Sequence, residues 1–149
     1  MRMMTTTVLA SGVFDLLHYG HIRFLEEAKR QAGPDSRLIV IIARDETVKR
    51  LKGKAPIIPE DQRRALVEAL EVVDEALLGY EEMDLGAVIE KISPDIIAVG
   101  HDQDDIERQT RRIVMKKGLE LRVVRIGRFG KQDLNSSSKI KGKIVEDWR

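Results

Sequence analysis

The sequence predicts an α/β fold: a Rossmann-like, doubly wound parallel sheet of about five strands with helices on both faces. Three observations carry this expectation. Short continuous apolar runs bounded by turn residues recur along the chain, as at residues 38–43 (LIVIIA) and Ile96–Val99 (IIAV), and such runs suit strands covered on both faces. Amphipathic stretches with helical spacing lie between them. Strand and helix alternate throughout, so right-handed βαβ crossovers follow as the default.

Taken in order, residues 8–10 form a first strand that enters a glycine turn at Gly12. Ile22, Leu25 and Ala28 share one helical face, and Gly33-Pro34 stops that helix. After the second strand at 38–43, residues 52–59 (KGKAPIIP) combine lysines, a glycine and two prolines, which fits an exposed, mobile loop. Pro59-Glu60-Asp61 then signals a helix start, with acids where the helix dipole favours them, ahead of the apolar positions of 65–70. Glu75–Leu78 is a short third strand, and a helix over Leu85–Ile92 ends before Ser93-Pro94. Ile96–Val99 is the fourth strand, and a helix over 106–115 stops before Gly118. Residues 121–126, alternating basic and apolar, are the fifth strand.

At 149 residues the chain has room for one domain, spanning 1–149. Hydrophobic residues at 42% and charged ones at 34% exclude a disordered chain. The absence of cysteine excludes a disulfide scaffold, a thiolate nucleophile and a Cys-based metal site. No apolar run approaches the ~20 residues of a membrane span, so a soluble, cytoplasmic protein with no membrane partner is expected. A net charge of +1 hides strong asymmetry: residues 65–107 hold thirteen acids and one base, while 108–149 hold thirteen bases and four acids. Residues 44–64 add seven bases against four acids. Basic segments flanking an acidic middle suit a small polyanion at least as well as a nucleic acid, although many of these charges also fit a solvated surface. Aromatics make up only 4% and are not interleaved with the basic stretches, so no nucleic-acid partner is expected.

Chemistry concentrates in Ser11-Gly12-Val13-Phe14-Asp15-Leu16-Leu17-His18-Tyr19-Gly20-His21, which leaves the first strand and ends where a helix begins. Ligands of open α/β sheets bind beyond the carboxyl ends of strands, and helix N-termini offer free N–H groups to phosphate. His18 and His21 stand three residues apart, so both imidazoles can face one anion, with Gly20 allowing close backbone approach. A zinc site needs three or four ligands, and the chain adds only His101. Phosphate chemistry is the reading favoured over zinc or unremarkable turn histidines.

The segment from Gly12 to His21 resembles the G-T-F-D-x-x-H-x-G-H signature of the cytidylyltransferase-like nucleotidyltransferases, with Val13 in place of the usual threonine. The resemblance covers nearly the whole chain. Arg44-Asp45-Glu46-Thr47 is similar to the family's acceptor loop, Lys52 and Lys54 to its mobile phosphate-binding lysines, and Arg63 to the arginine after that loop. Gly100-His101-Asp102-Gln103 resembles the segment lining the nucleoside pocket, and Asn135-Ser136-Ser137-Ser138-Lys139-Ile140 the I-S-T-T-K-I motif that opens the last helix. Lys131 stands where many relatives have arginine. Taken singly, Ser136–138 could be a plain helix cap, the two lysines solvated loop charges, and Asp102 a cap for the following helix. Their order after successive strands is what gives them weight.

The resemblance implies direct in-line attack by an acceptor phosphate on the nucleotide α-phosphorus, with pyrophosphate leaving. His18, His21, Lys52, Lys54 and Arg63 are the expected catalytic groups. Val13, Phe14, Tyr19, Gly20, Asp102, Phe129, Ser136, Ser137 and Ser138 would join the histidines in binding nucleotide, while Asp15, Arg44 and Asp45 would face the acceptor. Mg²⁺ would arrive on the phosphates, with no protein metal cage. Residues 44–60 and 123–129 resemble archaeal FAD synthases, which transfer AMP from ATP to FMN. The alternatives are a glycerol-3-phosphate cytidylyltransferase, whose Asp-Trp pair is replaced here by Asp102-Gln103, and a nucleotide-binding module without turnover. Family members are usually homodimers, and residues 61–75 could supply part of such a face or be an ordinary surface helix.

Overall fold

The structure is a computed structural model that describes residues 5–81, 84–127 and 136–148. Its elements run β1 (Thr6–Gly12), α1 (Tyr19–Arg30), β2 (Ser36–Ile42), α2 (Asp45–Lys52), α3 (Glu60–Glu68), β3 (Glu75–Leu78), α4 (Leu85–Ile92), β4 (Ile96–Val99), α5 (Asp104–Lys117), β5 (Arg122–Arg125) and α6 (Ser137–Asp147). The five strands form one sheet in the order β3-β2-β1-β4-β5. Every pairing is parallel, from Thr6 against Ser36 through Gly12 against Ile42 on one side of β1, and Val8 against Ile96 on the other. The chain winds outward from β1 in both directions, so β1 and β4 flank the switch point where such folds hold ligands.

The period-two alternation of the strands divides the core into two layers. Val8, Ala10, Leu38, Val40, Ile42, Ile96 and Ala98 face one way and pack with Leu25 and Ala28 of α1 and Val67 of α3. Leu9, Ile39, Ile97 and Val99 face the other way and pack with Val88 and Ile89 of α4. Helices therefore cover both faces, as the uninterrupted apolar strands required. Among the described residues no helix is long and apolar enough to cross a membrane.

One element departs from the sequence expectation. Asp45-Glu46-Thr47 of the expected acceptor loop and Lys52 of the expected 52–59 loop belong to one helix, α2, and only the part from Gly53 to Pro59 is irregular. This helix buries just Thr47 and Val48, so its apolar periodicity is too sparse to read. Its stabilising features are electrostatic: Asp45 and Glu46 in the first turn, Lys49, Arg50 and Lys52 in the last. Gly53, at φ 79, ends it in the left-handed conformation that glycine adopts without a Cβ clash. At the opposite extreme α6 has no buried residue, and its N-terminus is what meets the rest of the fold.

Candidate active site

The loop from β1 to α1 is shaped by a buried aromatic ring. Phe14 is buried at 4% exposure, and a Cβ placed on Gly12 would lie 2.8 Å from its Cε2. Only glycine lets the ring fold back beneath the turn. Phe14 (φ 54) and Leu16 (φ 49) both take left-handed backbone, a strain of about 1–3 kcal/mol each that persists only where surrounding packing enforces it. The strained loop delivers His18 to the N-cap of α1 and His21 to its third residue.

The two imidazoles stack with centroids 3.7 Å apart and planes 25° from parallel, and Phe14 lies 5.2 Å from His21 on the inner side. Burial, then the adjacent His18 ring, push the His21 pKa down to about 3 against a smaller opposing pull from Asp15. Burial lowers the His18 pKa as well. Both rings are therefore neutral at pH 7. The His18 N–H donates to His21 Nδ1 at 3.3 Å, which places the proton of the neutral His21 ring on Nε2 as a donor. His18 Nδ1 is buried with no hydrogen-bond partner. Two neutral, desolvated donors at a helix N-terminus are suited to receive an anion, whose arrival favours the charged forms the fold now disfavours.

Beside them lies a polar cluster centred on Arg63. Arg63 has 0% exposure. Its guanidinium donates to the carbonyls of Ile58, Val13 and Ala43 at 2.8 Å each and to Asp45 Oδ1 at 2.6 Å. Asp45 and Glu60 cap each other's helices: Asp45 N–H donates to Glu60 Oε1 at 2.9 Å, and Glu60 N–H to Asp45 Oδ2 at 3.3 Å. Arg44 donates to the Gly79 carbonyl at 2.6 Å and pairs with Glu60 at 3.2 Å. Asp15 is buried too, and its oxygens accept the N–H groups of Ile57 and Ile58 at 2.9 Å each. Burial raises the Asp15 pKa, but the two amides and nearby Lys141 outweigh it and hold the carboxyl below its ordinary value.

These placements differ from what the motifs implied for three residues. Arg63 is expected over the β- and γ-phosphates, yet its guanidinium is sealed from solvent and each of its three nitrogens is bonded inside the protein. Asp15 and Asp45 were expected at the acceptor, yet both carboxylates are occupied by protein donors. For Arg63 and Asp15 the reason is desolvation, since ions this deeply buried must find partners locally, while the part-exposed Asp45 is held by Arg63 and the Glu60 N–H.

Other expected residues stand around the same sheet edge. Lys52 and Lys54 are exposed on either side of Gly53, and Tyr19 is 54% exposed beside the histidines. Ser136 caps α6 by accepting the Lys139 N–H at 3.2 Å. The Ser137 hydroxyl donates to the Asp15 carbonyl, bringing the α6 N-terminus to the histidine loop, and Ser138 is exposed. Asp102 is exposed at the turn before α5. Val13 turns its carbonyl to Arg63, from which it accepts a hydrogen bond. Phe129 and Lys131 lie outside the described residues. Among the described residues no group of three His, Asp or Glu side chains forms a metal cluster.

Two positioning side chains went unrecognised in the sequence. Gln103 accepts the Gly100 N–H and donates to the Ser11 carbonyl, 2.8 Å each, and so staples the tips of β4 and β1 across the switch point. Lys141 lies 3.5 Å from Asp15. It stands four residues after Ser137, hence on the same helix face, which is the signal that would have found it.

The cytidylyltransferase-like family model matches residues 9–143. A protein named FAD synthase from Methanopyrus kandleri is 44% identical over 142 residues, covering 95% of this chain and 93% of its own. One of the same name from Ferroglobus placidus is 51% identical over 138 residues, covering 93% and 87%. A crystal structure described as the lipopolysaccharide core biosynthesis protein from Thermoplasma volcanium superposes with a TM-score of 0.75 at 41% identity, covering 84% of this chain and 98% of that one.

Proposed function

The chain belongs to the cytidylyltransferase-like family, and from that premise we propose that it is an FAD synthase, an FMN adenylyltransferase that joins AMP from ATP to FMN and releases pyrophosphate. The observation that carries the chemistry is the stacked pair of neutral imidazoles at the α1 N-terminus. The nucleotide and acceptor come from the relatives of that name at 44–51% identity.

An FMN phosphate oxygen attacks the ATP α-phosphorus, the new O–P bond forms as the bond to the β-phosphate breaks, and pyrophosphate carries away the electron pair. The attacking oxygen is already anionic near pH 7, so the protein positions reactants and stabilises charge rather than removing a proton. His21 Nε2–H and His18 donate to the phosphate oxygens that gain charge. Lys52, at the end of α2, and Lys54, in the exposed loop after it, approach the β- and γ-phosphates, Ser138 and the α6 N-terminus support the triphosphate, and Arg44 stands on the acceptor side. The same proposal puts Asp102 and Phe129 beside the adenosine, a reading supported by the family resemblance of their segments alone. Nearby carboxylates are engaged by amides and arginines, so Mg²⁺ is proposed to enter on phosphate oxygens, where it would neutralise charge on the triphosphate.

The test is product identity. Incubation with ATP and FMN yields FAD and one equivalent of pyrophosphate, while CTP with glycerol 3-phosphate yields none. The reverse preference overturns the flavin reading in favour of a cytidylyltransferase. A homodimer is part of the same proposal, with exposed Leu66 on the outer side of α3 at its face; sedimentation at the mass of one chain removes it.

A further inference from the structure

The loop carrying Lys54 rejoins the body of the protein at Ile57 and Ile58, where it is gripped from two sides. Asp15, in the histidine loop, accepts both N–H groups at 2.9 Å. Arg63, in α3, donates Nε to the Ile58 carbonyl at 2.8 Å while Nη1 reaches the Val13 carbonyl at 2.8 Å. Ile58 thus has its N–H on an anion and its C=O on a cation. Such charge-assisted bonds are roughly twice as strong as neutral ones. Only residues 53–56 separate this grip from the end of α2, and four residues span at most about 14 Å. Where the grip stands therefore limits where Lys54 can be. The Asp15 carbonyl also accepts the Ser137 hydroxyl, and Lys141 approaches its carboxylate, so the same residue gathers the histidine loop, the lysine loop and the serine helix.

We propose that Asp15 and Arg63 are positioning residues that register the lysine loop against His18 and His21 through the Ile57–Ile58 backbone. The proposal rests on the transferase reading for its kinetic consequence but not for the grip itself. Neither side chain acts by touching substrate, since both are buried, at 5% and 0% exposure, and their groups are taken.

Amide hydrogen exchange of the ligand-free protein, read at Ile57 and Ile58, tests the grip in Asp15→Asn and Arg63→Lys. Asparagine keeps the shape but turns one acceptor into a donor facing an amide. Exchange at these two amides should rise about 10- to 100-fold, the equivalent of losing a hydrogen bond to a charged group. Misregistered lysines should lower kcat by about 10²-fold while leaving the KM for FMN and for ATP within about threefold, because the lost contact is one made in the transition state. Arg63→Lys, which keeps the charge but loses the fork, should show the same pattern more weakly. Unchanged exchange at Ile57 and Ile58 overturns the proposal. So does a raised KM for FMN with kcat intact, which would mean direct acceptor contact. A uniform rise in exchange across β1 and β2 also overturns it, since Asp15 would then hold the whole fold. Wild-type protein that protects both amides yet makes no FAD counts against the function alone.

Discussion

Two polar clusters lie at the carboxyl ends of the neighbouring strands β1 and β2, and they are built on opposite principles. Around the buried Arg63 and the part-exposed Asp45 and Glu60, charges meet opposite charges or backbone partners at 2.6–3.3 Å. Around His18 and His21, two imidazoles are held neutral, stacked and partly desolvated, with His18 Nδ1 left without a partner. In the first arrangement Arg63, sealed from solvent at its centre, serves to fix geometry. The second is destabilising in isolation and gains when an anion arrives. Side by side they separate two roles that a family motif presents as one list: residues that hold and residues that bind.

The largest effect that could break this contrast is on stability at Arg63. Arg63→Ala should lower unfolding free energy by about 3–5 kcal/mol, chiefly by leaving three carbonyls without their donor, measured by urea denaturation. A wild-type midpoint would mean that the saturated cluster holds nothing. Next in size is the rate at the open cluster. His18→Ala and His21→Ala should each reduce kcat by about 10²–10³, or roughly 3–4 kcal/mol of transition-state stabilisation, with the thermal midpoint little changed. Near-normal turnover in both would remove the imidazoles from the mechanism. The smallest effect sharpens the comparison through pH. A histidine whose folded pKa lies below its unfolded value of about 6.5 leaves stability intact above that pH and erodes it as the unfolded chain takes up the proton below. For His21 the erosion runs from about pH 6.5 down to about 3. His21→Gln should flatten this acid limb in a series of denaturation curves from pH 7.5 to 4, and an unchanged slope would show that the ring is not held neutral.

Much of the fold was legible because its signals are local. Residues 38–43 and Ile96–Val99 are apolar on both faces, which only a covered parallel sheet accommodates, and Pro59 before Glu60-Asp61 marks the α3 start where it is found. The helix α2 was not legible, since it buries only Thr47 and Val48 and is stabilised by charge placement that also fits a polar loop. At the site, Gly12-Val13-Phe14-Asp15 and His18-Tyr19-Gly20-His21 announced phosphate chemistry in one continuous stretch. The separate duty of Arg63 could not be read, because its partners Val13, Ala43, Asp45 and Ile58 are scattered along the chain and three of them are backbone carbonyls that carry no residue identity.

By itself the sequence determined the alternation of strands and helices and the pairing of His18 with His21 at a helix start, since periodicity, turn residues and a contiguous motif depend on near neighbours. Tertiary structure alone decided which charges are buried and which are left for a ligand. Arg63, Lys52 and Lys54 carry the same sign within a dozen positions, yet one is sealed at 0% exposure and the others face solvent. Desolvation sets the fate of a charge, and it is a property of the surroundings that folding assembles.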